Sequence, residues 1–273
     1  MKNPFEKFTG QIYKKNRLAG GDINEVYHLI CLNGEFLLKN NNGGFTKMFE
    51  NECFGLNHLR ENNLPVPKVI SFNEDAILLE YFNAGKPCYK EAGTLLAKLH
   101  QKTSENFGFF QNNYIGSLNQ INNFEKDWIL FYQKHRLQYQ LNLWNLSHKL
   151  TNNELNIWSK LFEKLPVLLT HKPKPSLLHG DLWSGNLYFS DKGPIFIDPA
   201  VYYGDALIEL AFTELFGAFD SAFYSAYQEI HSICEIYKDI KKLYQIYPLL
   251  VHANLFGINY YHTALNSAKY YAS

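Results

Sequence analysis

β-favouring runs dominate the first 84 residues, and helical spacing of apolar positions takes over along most of the rest of the chain. Val26 to Leu32 and Glu35 to Lys39 are two such runs joined by Asn33-Gly34, a dipeptide suited to the positive φ angles of a type I′ turn, so a hairpin is predicted there. An earlier strand is expected at about Ile12 to Leu18, followed by the turn Ala19-Gly20-Gly21-Asp22-Ile23-Asn24. Met48, Phe49, Cys53, Leu56 and Leu59 then share one helical face, with Glu52 in the same helix, and Pro65 and Pro67 end it. Val69 to Phe72 and Ala76 to Phe82 read as two further strands. The change of character near Asn83-Ala84-Gly85 predicts a lobe of residues 1–84 and a second of residues 85–273.

In the second lobe, Glu91 to Gln101 and Phe124 to His148 are predicted helices, and Pro166, Pro173 and Pro175 are expected to break the helical run. A short strand, Ser176 to Leu178, leads into the polar stretch His179-Gly180-Asp181-Leu182-Trp183-Ser184-Gly185-Asn186. Leu187 to Phe189, a turn at Ser190 to Gly193, and Ile195 to Ile197 follow, ending in Asp198. Beyond Asp205 the pattern is helical. The fold class is therefore α+β, an antiparallel sheet with one main helix followed by a largely helical part.

A chain of 273 residues with 46% hydrophobic content has ample core material for one large domain or two packed lobes. The 26 Lys and Arg balance the 26 Asp and Glu, so no global field favours nucleic acid or an anionic membrane, and a small-molecule partner fits better. No apolar run reaches the length of about 20 residues that a membrane span needs, and the N-terminus does not resemble a secretory signal. Cys31, Cys53, Cys88 and Cys234 have no Cys-x-x-Cys spacing, which predicts a cytoplasmic protein with reduced, buried thiols. The histidines show no zinc-ligand spacing.

The chemistry concentrates in the polar stretch. Asp181, Asn186 and Asp198 are two carboxylates and an amide carbonyl, hard oxygen ligands suited to Mg²⁺ with bound phosphates. Phosphoryl transfer needs one acidic residue to accept the proton of the attacking hydroxyl and two oxygen groups to hold metal against the phosphates. Asp181 suits the first task, Asn186 and Asp198 the second. His179 reads as a hydrogen-bonding support of the loop, since Asp181 is already available as proton acceptor. Two adjacent glycines, Gly20 and Gly21, allow close backbone approach to a bound group, although such pairs mark ordinary turns more often.

His179-Gly-Asp181-x-x-x-x-Asn186 with Asp198 resembles the signature of the protein-kinase-like small-molecule kinases, among them aminoglycoside phosphotransferases and choline kinases. The wording of Leu178 to Asn186, of Asp198-Pro-Ala-Val-Tyr-Tyr-Gly-Asp205 and of Thr213-Glu-Leu-Phe-Gly217 is similar to one group within them, the fructosamine (ketosamine) kinases. Asn113-Tyr-Ile-Gly-Ser117 and the stretch from Asp127-Trp128 to His135-Arg136-Leu137 resemble the same family. The resemblance implies a bilobal protein-kinase-like fold with ATP between the lobes and Mg²⁺ as metal. It implies that Lys39 contacts the α and β phosphates, that Glu52 pairs with it, and that Gly20, Gly21 and Asn24 cover the phosphates. Glu80, Tyr81 and Phe82 would offer backbone groups to adenine, and Trp183 a flat surface to the sugar rather than a core ring. Glu209 stands where the family suggests an aspartate.

The implied reaction is phosphorylation of a sugar hydroxyl, O3, of a small-molecule or protein-bound ketosamine, in deglycation. A kinase for an aminoglycoside or an amino alcohol, and a nucleotide-binding pseudokinase, are the alternatives. The second of these has no physical need for Lys39, Glu52, Asp181, Asn186 and Asp198 together.

Overall fold

The structure, a computed structural model, describes residues 4–18, 24–41 and 47–273. The chain divides into two compact units, Met1–Cys88 with Asn186–Pro199, and Tyr89–Gly185 with Ala200–Ser273. Asn186–Pro199 thus groups with the N-terminal residues, whereas a division after residue 84 assigns that stretch to the C-terminal part.

The first unit opens with the short helix α1 (Glu6–Thr9) and the strands β1 (Ile12–Arg17), β2 (Glu25–Cys31) and β3 (Gly34–Asn40). The helix α2 (Met48–Glu61) and the strands β4 (Val69–Phe72) and β5 (Ala76–Glu80) follow. The strands form one antiparallel sheet in the order β1-β2-β3-β5-β4. Two-residue alternation sends Leu29, Cys31, Leu38, Ala76 and Leu78 to one face, where they pack with Phe5, and so turns Lys39 to the other. The hairpin between β2 and β3 forms as predicted, but its turn differs: Gly34 alone takes a positive φ, 125°, and neither Leu32 nor Asn33 does. A type I′ turn needs two such residues, so the glycine serves at the strand entrance instead.

The second unit begins with α3 (Tyr89–His100), the hairpin strands β6 (Asn113–Ile115) and β7 (Leu118–Gln120), and α4 (Trp128–Phe131). The helix predicted over residues 124–148 starts only at Trp128, where Asp127 accepts the Leu130 N–H at 2.7 Å as a cap. It then widens into π-helical turns over Tyr132–Gln138 before resuming as α5 (Tyr139–His148). A capping box of Thr151 and Glu154 starts α6 (Asn152–Leu168), which contains Pro166 rather than stopping before it. So near the end, at Leu168, the proline forfeits one N–H bond and no more of the helix.

After β8 (Ser176–Leu178) the chain returns to the first unit as a hairpin of β9 (Leu187–Ser190) and β10 (Gly193–Phe196). Backbone bonds from Gly85 N–H to Phe189 O, 2.8 Å, and from Phe196 N–H to Pro65 O, 2.8 Å, fasten it there. The second unit then resumes with β11 (Tyr202–Gly204), antiparallel to β8, and with α7 (Ala206–Thr213), α8 (Ser221–Gln228), α9 (Tyr237–Phe256) and α10 (Ile258–Ala272). Its core is aromatic, with Phe131, Tyr132, Trp144, Phe223 and Tyr244 fully buried. None of the four cysteines forms a disulfide among the described residues, but only Cys31 is buried, Cys53 and Cys88 are half-buried, and Cys234 is exposed, against the expectation of buried thiols. No helix among the described residues is long and apolar enough to cross a membrane.

Candidate active site

In the first unit, strand alternation and helix periodicity bring three charged residues together. Lys39 sits on β3 opposite Val26 and Ile77 and is only 6% exposed. Glu52 lies on the stripe of α2 that also buries Phe49, Leu56 and Leu59, so its carboxylate is carried toward the sheet. Lys39 Nζ donates to Glu52 Oε1 at 2.7 Å and also to Asp198 Oδ1. Burial opposes the ammonium charge, but Asp198 and Glu52 outweigh it and raise the Lys39 pKa above the ordinary lysine value. Burial pushes the Glu52 carboxyl up, Lys39 pulls against it, and the second carboxylate, Asp198, adds to the rise.

Asp198 reaches Lys39 from a backbone in the left-handed region, φ 56°, a conformation that aspartate tolerates better than most residues. Antiparallel pairing sets its place. The ladder that pairs Phe196 with Leu187 continues through the Ile197 N–H to Asn186 O bond of 3.0 Å, bringing buried Asn186 opposite the residue before Asp198. One carboxylate and one amide carbonyl are hard donors that suit Mg²⁺, whose remaining positions are ordinarily taken by water and phosphate oxygens. No group of three or more His, Cys, Asp and Glu among the described residues could hold a metal by itself.

At the end of β5, Tyr81 stacks on His28 with centroids 3.8 Å apart. The Glu80 N–H is donated to Lys68 O at 2.9 Å, and the Phe82 carbonyl accepts the Tyr188 hydroxyl at 3.3 Å. Gly20 and Gly21 lie outside the described residues. Asn24 Nδ2 is 3.8 Å from Met48 Sδ, and its Oδ1 is buried with no hydrogen-bond partner among the described residues.

In the second unit, the pairing of β8 with β11 delivers the loop that starts at His179. Gly180 has φ 88°, and an added Cβ would collide with the Ala200 carbonyl, so the turn requires glycine. Glu209, 3% exposed on α7, accepts the backbone N–H groups of His179 at 3.0 Å and Gly180 at 2.5 Å. Its carboxylate also meets His100 Nε2 at 2.9 Å, and His100 Nδ1 is 2.7 Å from the Tyr227 hydroxyl. With Tyr227 O–H donating to Nδ1 and Nε2–H donating to Glu209, every member is satisfied. Burial alone would raise the Glu209 carboxyl; the His100 bond, the nearby His100 and His179 and the Gly180 N–H bring it below its ordinary value. Asp181 is half-buried, and its N–H donates to His179 Nδ1 at 3.4 Å. Trp183 is also half-buried, with its six-membered ring over Gly185 and Phe216 edge-on at 6.0 Å.

Two supports of this loop escape a reading of the chain by periodicity. Glu209 had a visible signal, since it is the lone charge in the otherwise apolar run Ala206–Phe212. Arg136 is fully buried without a carboxylate partner among the described residues: its guanidinium lies 3.9 Å over the Tyr202 ring and donates to Ile121 O at 2.7 Å and Asn122 Oδ1 at 2.8 Å. Burial raises the Tyr202 phenol to about 12, with Arg136 opposing, so the ring stays neutral beneath the cation. Gln120 and Asn113, on the β6–β7 hairpin, donate to the Ala200 and Val201 carbonyls at 2.9 Å each and fix the strand that holds the loop.

Sheet, helix and loop together define the class. An aminoglycoside phosphotransferase, APH(4)-Ia, shares the fold at a TM-score of 0.61 and 15% identity, with 98% of this chain and 96% of that one covered. The fold is therefore that of the protein-kinase-like phosphotransferases. The fructosamine kinase family model matches residues 3–271, so the chain belongs to the fructosamine kinase family and is an ATP-dependent phosphotransferase. A ketoamine kinase, described as probable, from Enterococcus faecium is 37% identical, covering 89% of this chain and 90% of its own. The chloroplastic protein-ribulosamine 3-kinase of Arabidopsis thaliana is 35% identical over 94% of this chain and 82% of its own. A crystal structure from Thermobifida fusca assigned as a fructosamine-3-kinase has a TM-score of 0.88 at 27% identity, with 97% and 96% coverage.

Proposed function

We propose that the protein uses ATP and Mg²⁺ to phosphorylate O3 of a ketosamine, such as a ribulosamine or fructosamine on a free amine or a protein lysine. The observation that carries this reading is the Lys39–Glu52–Asp198 set. A buried ammonium held by two carboxylates contributes little to stability over an apolar replacement, but suits the charge of a triphosphate. The relatives named ketoamine kinase and protein-ribulosamine 3-kinase support the substrate class.

In this reading Lys39 binds the α and β phosphates and Glu52 orients its ammonium. Gly20, Gly21 and Asn24 cover the phosphates, and Glu80, Tyr81 and Phe82 serve adenine. Asn186 and Asp198 would hold Mg²⁺, which would neutralise charge on the phosphate oxygens. The Asp181 carboxylate takes the O3 proton as that oxygen bonds to the γ phosphorus and the bond to the β–γ bridging oxygen breaks, leaving ADP. Trp183 offers its indole to the sugar. The product carries a leaving group beside the ketoamine, which makes the adduct labile and permits deglycation; a cytoplasmic setting, where ATP is abundant, suits this.

The test is ATP consumption with ribulosamines, fructosamines and aminoglycosides, with phosphorus NMR of each product. Turnover of a ketosamine to a 3-phosphate is expected. Turnover of aminoglycosides alone, or phosphate at another hydroxyl, overturns the reading.

A further inference from the structure

Arg136 stands on the π-helical turns of Tyr132–Gln138, a rare conformation that concentrates at functional sites. Its guanidinium lies over three rings, Phe131 at 4.6 Å, Tyr202 at 3.9 Å and Tyr247 at 5.5 Å. Among the described residues it donates to uncharged oxygens: Ile121 O at 2.7 Å, His135 O at 3.2 Å and Asn122 Oδ1 at 2.8 Å. A fully buried cation held in this way adds little stability over an apolar side chain of similar size, so stability alone does not account for it.

What the cation fixes is direction. A guanidinium donates and cannot accept, so Asn122 must turn Oδ1 toward Arg136 and its amino group away. That amino group donates to Asn113 Oδ1 at 2.8 Å and to Gln111 O at 3.2 Å. With its oxygen engaged, Asn113 presents Nδ2 to Val201 O at 2.9 Å. Gln120 follows the same sense: Nε2 donates to Asn113 Oδ1 at 2.8 Å and to Ala200 O at 2.9 Å, while Oε1 accepts the Tyr247 hydroxyl at 2.8 Å. The polarity set at Asn122 thus ends as N–H donors aimed at two consecutive backbone carbonyls, and a single reversed amide would set oxygen against oxygen. Arg136, Asn122, Asn113 and Gln120 are all buried, so bulk water does not replace a lost bond. Ala200 in turn holds the loop: its N–H donates to His179 O at 2.9 Å, and Gly180, the residue before Asp181, packs directly on its carbonyl.

We infer that Arg136 is a positioning residue for phosphoryl transfer: by fixing the sense of the Asn122, Asn113 and Gln120 amides it holds Ala200, and through Ala200 the loop that carries Asp181. This rests on Asp181 as the proton acceptor in the reading given above. Loss of the donor at residue 136 lowers kcat by about 10 to 100-fold, the effect of a shift of about 1 Å at a reacting group, and leaves the KM for ATP little changed.

The experiment compares steady-state kinetics on a ketosamine, and thermal melts, of the wild type, Arg136→Lys and Arg136→Gln. An ammonium donates without accepting and so keeps the sense of Asn122, whereas a glutamine amide can offer either end. The ammonium also costs more to bury than the amide. The expected result is an inverted order: Arg136→Lys melts below Arg136→Gln yet has the higher kcat, with Arg136→Gln down by about 10 to 100-fold and the KM for ATP steady in both. Gln120→Leu removes the last amide and should show the same fall. The pair Arg136→Gln with Gln120→Leu should fall no further than the lower single variant, since both break one chain. A kcat that follows the melting temperature, an unaltered kcat in Arg136→Gln, or a pair whose losses multiply overturns the inference. Should neither Arg136 variant fold, Gln120→Leu decides alone: a lowered kcat with a steady KM for ATP upholds the inference and a wild-type kcat overturns it. If the wild type phosphorylates an aminoglycoside and no ketosamine, the substrate reading fails, and the same order of kcat on that acceptor upholds the inference. A wild type that phosphorylates neither overturns both.

Discussion

Glu209→Gln isolates the support of the loop from its chemistry, because the carboxylate oxygens bond His179, Gly180 and His100. The carboxylate gathers three donors in a buried site. An amide keeps one acceptor oxygen and brings two donors of its own, so at least one of the three is left unpaired, at about 1–3 kcal/mol. Urea unfolding at pH 7 should show that loss. Asp181, two residues from His179, should be held less firmly, and kcat should fall by roughly 10 to 100-fold, since a shift of about 1 Å at a reacting group has that effect. The KM for ATP should move little. The pH dependence gives a second readout. The folded-state pKa of Glu209 is depressed below its unfolded value, about 4.3, so its contribution is complete above that pH and is lost as pH falls through the folded pKa. Wild type should therefore lose its advantage over Glu209→Gln in acid, and the two unfolding curves should converge. A variant with wild-type urea midpoint at pH 7 and wild-type kcat would show that the carboxylate does not hold the loop.

Asp181→Asn should lower kcat by orders of magnitude with little change in ATP affinity, as steady-state kinetics and nucleotide titration will report. Near-normal turnover would remove it as the proton acceptor. Lys39→Met leaves Glu52 buried without its cation and should destabilise the protein by about 3–5 kcal/mol, whereas Lys39→Met with Glu52→Gln should recover much of the stability but no activity. Thermal melts of both variants, beside ATP turnover, check this, and a fully stable Lys39→Met would contradict it. Gly180→Ala places a Cβ against the Ala200 carbonyl and should lower the melting temperature sharply; a wild-type melt would mean that the loop has another path.

Elements with a strong period were legible in the chain. The strand Val69–Phe72 has the predicted ends, and the apolar stripe of Met48, Phe49, Leu56 and Leu59 marks α2. The three-residue strands Asn113–Ile115, Leu118–Gln120 and Tyr202–Gly204 are too short to display alternation, and they form because buried side-chain amides and a distant partner strand hold them. Pro166 misled because a proline is read as a stop signal, while its effect depends on how many helical bonds remain beyond it. Of the site, Asp198 was readable from the hairpin that follows the polar stretch, whereas Lys39 and Glu52 were readable only through the family resemblance, since contact between residues 39 and 198 leaves no local pattern. No spacing around Arg136 signals its burial beneath three aromatic rings drawn from different elements.

The first unit is interrupted in sequence, and this bears on the order of events during synthesis. A chain grown to Cys88 already contains β1 to β5 and α2, but it lacks the strands that accept the Gly85 N–H and donate to the Pro65 carbonyl. Its Lys39 has Glu52 at hand and must wait for Asp198, 159 residues further along. Closure of so long a loop is slow compared with local pairing. The nascent N-terminal part therefore emerges with an open backbone edge and an incomplete charge cluster, and it can reach its final form only after all of Tyr89–Gly185 and the hairpin beyond it have left the ribosome.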